Sequence, residues 1–65
     1  MLKKSFKINK NIYWEKYIKE SIEDYKDIAE ISYKDGEIII EGEGDLDEIF
    51  NELMNYVISI QNEQV

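Results

Sequence analysis

The stretch Ile28-Ala29-Glu30-Ile31-Ser32-Tyr33-Lys34-Asp35-Gly36-Glu37-Ile38-Ile39-Ile40-Glu41-Gly42-Glu43 decides the fold. Two runs rich in Ile and Tyr flank Asp35-Gly36, a pair suited to a two-residue type I′ turn because Asp and Gly tolerate positive φ. A turn of that length sets the register. Tyr33 falls opposite Ile38, Ile31 opposite Ile40 and Ala29 opposite Gly42, which puts one continuous apolar row on one face. Strands are therefore predicted over 28–33 and 37–43. The other face carries Ile28, Glu30, Ser32, Ile39, Glu41 and Glu43, with Glu30 directly opposite Glu41. Two opposed carboxylates cost a few tenths to about 1 kcal/mol. That cost calls for compensation by Lys3 or Lys7 from a neighbouring first strand, by solvent screening, or by a docked partner or second protomer.

Upstream, Ser5-Phe6-Lys7-Ile8 alternates and predicts a short half-buried strand. Asn9 and Asn11 offer caps, and from Ile12 the apolar residues change to helical spacing. Trp14, Tyr17, Ile18, Ser21, Ile22 and Tyr25 share one face, while Lys16, Lys19, Glu23 and Lys26 face water. Core packing is the expectation for Trp14, with Tyr13 at the edge of the stripe; a base-stacking role would need a basic groove beside them. Downstream, Asp45 reads as the N-cap of a last helix and Glu48 as its capping-box partner. Leu46, Ile49, Phe50, Leu53, Val57 and Ile60 form the core stripe of that helix, widened by Met54 and Ile58. The order is β-α-β-β-α. The expected α+β fold is a single domain over 1–65, a three-stranded sheet with two helices packed on one face and the other face open. A right-handed crossover through the first helix makes strands one and two parallel.

Composition narrows the function. The 65 residues contain no Cys, His or Arg, so nucleophilic and general-base chemistry would have to come from carboxylates, Lys or Tyr, and a non-enzymatic protein is expected. Paired carboxylates can hydrolyse glycosides, but only across a cleft that a chain of this size rarely encloses. Neither a cofactor nor a metal is expected: Glu41-Gly42-Glu43-Gly44-Asp45-Leu46-Asp47 alternates acids without EF-hand spacing, and helix capping accounts for Asp45. Residues 1–34 carry eight Lys against six acids, and residues 35–65 carry nine acids and no base, which together give the net charge of −7. Direct nucleic-acid binding is thus not expected. The acidic second half is read either as a solubilising surface or as mimicry of nucleic acid. Lys7 and Lys10 interrupt any signal-peptide core, no apolar run approaches a membrane span, and a Cys-free chain suits a reducing cytoplasm.

Three stretches carry a resemblance. Ile12-Tyr13 before the first helix, Ile18-Lys19-Glu20-Ser21 within it and Phe50-Asn51-Glu52-Leu53-Met54-Asn55-Tyr56 in the last helix resemble the HxsD-like family, small proteins of the His-Xaa-Ser peptide-maturation system. The resemblance covers nearly the whole chain. It implies a cytoplasmic accessory protein that helps a radical-SAM maturase engage its ribosomally made precursor peptide, with no catalytic residues. Two positions depart from the family: Trp14 stands where a small or polar capping residue is usual, and no basic Leu-Arg stretch follows Tyr56. The resemblance points to Asn51, Glu52 and Asn55 as partner contacts, with Tyr13 as a weaker one. Helical geometry agrees, because these three lie away from Leu53 and Val57 and packing does not demand them.

On the open sheet face, Glu30, Ile39 and Glu41 are the candidate contacts. Alternative readings are an acidic inhibitor or decoy, such as a phage-encoded protein that occupies a basic nucleic-acid-binding groove, and a structural homodimer burying Ile28 and Ile39. A looser likeness to the small dimer-forming subunits of a complex that modifies transfer RNA rests on the same element order and on Leu53-Met54-Asn55-Tyr56-Val57.

Overall fold

Asp35 and Gly36 adopt φ of 50° and 79° in the computed structural model, which describes residues 1–64. Both central residues of the turn are left-handed, as a type I′ hairpin requires. The turn joins β2 (Glu30–Lys34) to β3 (Glu37–Gly42) in the expected register, with Tyr33 opposite Ile38 and Ile31 opposite Ile40. Ile28 does not belong to the strand. Its N–H donates to the Tyr25 carbonyl at 3.0 Å, so it sits in the turn leaving the first helix and is exposed. Glu43 likewise lies beyond β3.

Strand β1 (Leu2–Lys7) pairs antiparallel with β3, with Lys3 opposite Glu41, Ser5 opposite Ile39 and Lys7 opposite Glu37. It is longer than Phe6 and Ile8 alone suggest. The obscuring residue is Lys4, which takes a position on the helix-bearing face where the alternation calls for an apolar side chain. Its stem allows this, because the ammonium reaches Asp47 at 2.7 Å and lies 5.4 Å over the Phe6 ring. The sheet order is β1-β3-β2, so β1 and β2 run the same way with β3 between them.

The first helix, α1 (Glu15–Tyr25), begins later than the apolar spacing predicts. Ile12 and Tyr13 donate their N–H groups to the Asn9 carbonyl, and Asn9 Oδ1 accepts from the Asn11 N–H at 2.9 Å. Residues 9–13 thus form a separate, side-chain-stabilised turn that does not run on into α1. Trp14 occupies the N-cap in an extended conformation, off the helical stripe, and is 56% exposed instead of packed in the core. Gln61 fixes this junction from the far end of the last helix, accepting the Trp14 N–H at 2.7 Å and donating to the Ile12 carbonyl at 3.3 Å.

The last helix, α2 (Leu46–Gln64), starts at Asp45, whose carboxylate accepts the Glu48 N–H at 3.2 Å. α2 lies over β1 and β3, and α1 lies over β2 and against α2. Ile18, Ile38, Ile40, Leu53 and Val57 are fully buried where these layers meet, each contributing about 1.5–3 kcal/mol through removal from water. Ser21 is buried among them and donates to the Tyr17 carbonyl at 2.8 Å, so its hydroxyl costs little there. At Gly42 an added Cβ would lie 3.2 Å from the Ala29 Cβ, a close approach that a larger residue would relieve only by shifting Ala29 by a few tenths of an ångström. No helix among the described residues is long and apolar enough to cross a membrane.

Candidate functional site

Phe6 of β1 stacks on Phe50 of α2 with centroids 4.1 Å apart and planes within 4°. This contact seats α2 across the end of β1 and opens a groove of about 560 Å³ between the helix and the segment leaving the strand. Lys7, Ile8, Asn9 and Tyr13 form one wall; Phe50, Asn51, Met54, Asn55 and Ile58 form the other. Met54 is almost fully buried, while Asn51 and Asn55 are exposed and spaced four residues apart on one side of the helix. The result is an apolar floor rimmed by a phenol and the carboxamides of Asn9, Asn51 and Asn55, with the Asn9 oxygen already accepting the Asn11 N–H. Tyr13, Asn51 and Asn55, separate in sequence, are brought together here.

Glu52 is not part of this groove. It projects from a different side of α2, and its main-chain carbonyl accepts the Tyr25 hydroxyl at 3.4 Å where α1 crosses. Glu30, Ile39 and Glu41 lie on the open sheet face, apart from the groove, in rows that run across all three strands. These rows read Lys3-Glu41-Glu30, Ser5-Ile39-Ser32 and Lys7-Glu37-Lys34. The phase of the β1-β3 ladder follows from the Ile8 N–H donating to the Gly36 carbonyl at 2.9 Å. Alternation from that bond makes Lys3 and Glu41 a non-hydrogen-bonded pair, about 4.5 Å apart at Cα, whereas the two-residue hairpin makes Glu30 and Glu41 a hydrogen-bonded pair about 5.5 Å apart. Lys3 stands opposite Glu41 on the side away from Glu30, without an ion pair within 4.0 Å among the described residues. Ile39 is the single apolar residue of the central row and is half-buried. Ile28 lies ahead of β2 rather than in it, and remains exposed beside Glu30 and Glu41.

The groups whose titration is shifted lie outside the groove. The Tyr56 hydroxyl donates to Asp24 at 2.6 Å; that hydrogen bond, desolvation and the carboxylate charge hold the phenol above its ordinary value. Hydrogen bonding to Asp35 raises Lys10, and hydrogen bonding to Glu23 raises Lys26. Among the described residues, no group of three or more His, Cys, Asp or Glu side chains is placed to hold a metal ion. The groove offers hydrogen bonds and apolar contact.

Phe50 belongs to the expected core stripe, whereas Met54 and Ile58 were expected only at its flank; Met54 is in fact buried with the core, and Ile8 and Asn9 face these side chains across a groove that helical spacing does not reveal. The Phe6-Phe50 stack creates that opposition, and no spacing within either segment signals it.

These features define a small α+β domain with an amide-rimmed groove on its helical side and a charge-mixed open sheet. Comparison with protein-family models, with curated proteins and with solved structures finds no match to this chain.

Proposed function

We propose that the chain is a non-enzymatic peptide-binding accessory domain that works in the cytoplasm beside a radical-SAM maturase, as its resemblance to HxsD-like proteins implies. The groove between β1 and α2 would hold a segment of the ribosomally made precursor peptide. The convergence of Tyr13, Asn51 and Asn55 around an apolar floor is the observation that carries this reading. An extended peptide presents main-chain donors and acceptors at every residue, and a carboxamide can satisfy one of each. Two asparagines spaced i, i+4 can clamp such a chain while Phe50, Met54 and Ile58 receive its side chains. Because Asn51 and Asn55 are exposed, their replacement leaves the core intact.

The double change Asn51→Ala with Asn55→Ala should weaken binding of the cognate precursor peptide roughly tenfold or more, since each lost hydrogen bond is worth about 0.5–1.5 kcal/mol. The thermal midpoint should stay close to that of the parent protein. If precursor and maturase both fail to associate with the parent protein at micromolar concentration in low salt, the reading is wrong. An acidic decoy would behave differently, because its association would collapse as salt screens the charges.

A further inference from the structure

Residues 1–13 carry four lysines and no acid, in a chain whose net charge is −7. β1 concentrates this local positive charge at an edge of the sheet. Lys4 is engaged by Asp47 and Lys10 by Asp35. Among the described residues, Lys3 and Lys7 have no carboxylate within 4.0 Å, and both stand on the open-face side of β1.

The main chain of β1 has a matching asymmetry. The Ile8–Gly36 bond fixes the ladder so that Leu2, Lys4 and Phe6 turn their N–H and C=O groups toward β3. The N–H and C=O groups of Lys3, Ser5 and Lys7 consequently point out of the sheet, unpaired by any strand. A strand added along this edge would alternate its side chains between the two sheet faces. One set would lie beside Lys3, Ser5 and Lys7. The other would lie beside Phe6 and Ile8, at the mouth of the groove.

From this geometry we infer that the free edge of β1 takes up an extended acidic peptide segment as a fourth strand, with acids four residues apart beside Lys3 and Lys7 and apolar residues on the alternate positions. The inference rests on the peptide-binding reading and specifies the chemistry of its ligand. Lysines on an exposed edge also repel unwanted pairing. A second β1 laid antiparallel about Ser5 would align Lys3 with Lys7, a like-charge arrangement that disfavours a second copy. The edge thus selects a strand of opposite charge. The β2 edge gives no such selection, because Glu30 and Lys34 flank Ser32 with mixed charge.

The test uses the full chain and three blocked synthetic peptides that read the same in both directions: Ser-Val-Glu-Val-Ser-Val-Glu-Val-Ser, its counterpart with Lys for Glu, and a neutral one with Gln for Glu. Binding affinity and amide hydrogen exchange are measured together. The acidic peptide should bind tightest. At a free concentration about 100 times Kd it should slow exchange of the Ser5 and Lys7 amides roughly a hundredfold. Lys7→Glu should weaken its binding roughly fivefold. Ser5→Pro should abolish the protection while keeping the fold, because proline is tolerated where the strand N–H faces out of the sheet. Should that variant fail to fold, Lys7→Glu still tests the inference.

Equal affinity for the three peptides would overturn the charge selection yet leave peptide binding standing. Absence of protection at Ser5 and Lys7, with the precursor still captured through Asn51 and Asn55, would overturn edge addition alone. Failure of every peptide and of the precursor would remove both readings. Protection of these amides by self-association without peptide, or preferential binding of a single-stranded oligonucleotide at Lys3 and Lys7, would also overturn the inference.

Discussion

Tyr56 and Asp24 join the outer surfaces of the two helices through a hydrogen bond of 2.6 Å, and Tyr25 tilts against the Tyr56 ring at 5.6 Å between centroids. The bond needs a protonated phenol to donate it. Since its acceptor raises the phenol above the ordinary value of 10.0, the folded state holds that proton more tightly than the unfolded chain does. The stabilisation is therefore fully present below the ordinary phenol value and is lost as pH climbs through the raised one. Removing the acceptor charge with Asp24→Asn should move the ionisation of Tyr56 to lower pH in a tyrosinate absorbance titration. An unchanged titration curve would show that Asp24 does not control this phenol. Other assignments at this scale came from residue type and failed where local geometry intervened. Trp14 was expected in the core because a helical projection places it there; the Asn9 turn leaves it at an N-cap, where that projection does not apply.

At the scale of elements, the hairpin was the most legible part of the chain. Asp35-Gly36 specifies its turn chemically, and a two-residue connection leaves no freedom in register. Gly36 also meets a crowding constraint, since an added Cβ would lie 3.1 Å from the Lys10 side chain while φ stays at +79°. Gly36→Ala should therefore lower stability by about 1–2 kcal/mol, measured by urea denaturation. Full retention of stability would mean that the turn relaxes to another type. α2 was readable for a similar reason, because Asp45 announces its start and the apolar stripe continues without a break. β1 was only half legible: Lys4 hides the alternation by reaching along the helix-bearing face to Asp47. The start of α1 was obscured in the opposite sense, as Ile12 and Trp14 fit a helical pattern that the chain does not follow.

For the whole molecule, the sequence indicated the architecture and its open face but not the strand order, which depends on where β1 docks. With β3 central, Lys3 stands opposite Glu41 on the side away from Glu30. The candidate site was legible residue by residue in Tyr13, Asn51 and Asn55. Their convergence was not, because it depends on two aromatic rings far apart in the chain. Glu52, chosen with its neighbours, falls on another side of the helix. The most direct test is to titrate isotope-labelled protein with the cognate precursor peptide and map chemical-shift changes residue by residue. The account predicts that the largest changes cluster at Tyr13, Asn51, Asn55 and the outer edge of β1. Changes confined to Glu30, Ile39 and Glu41 on the open sheet face, or no changes anywhere, would contradict it.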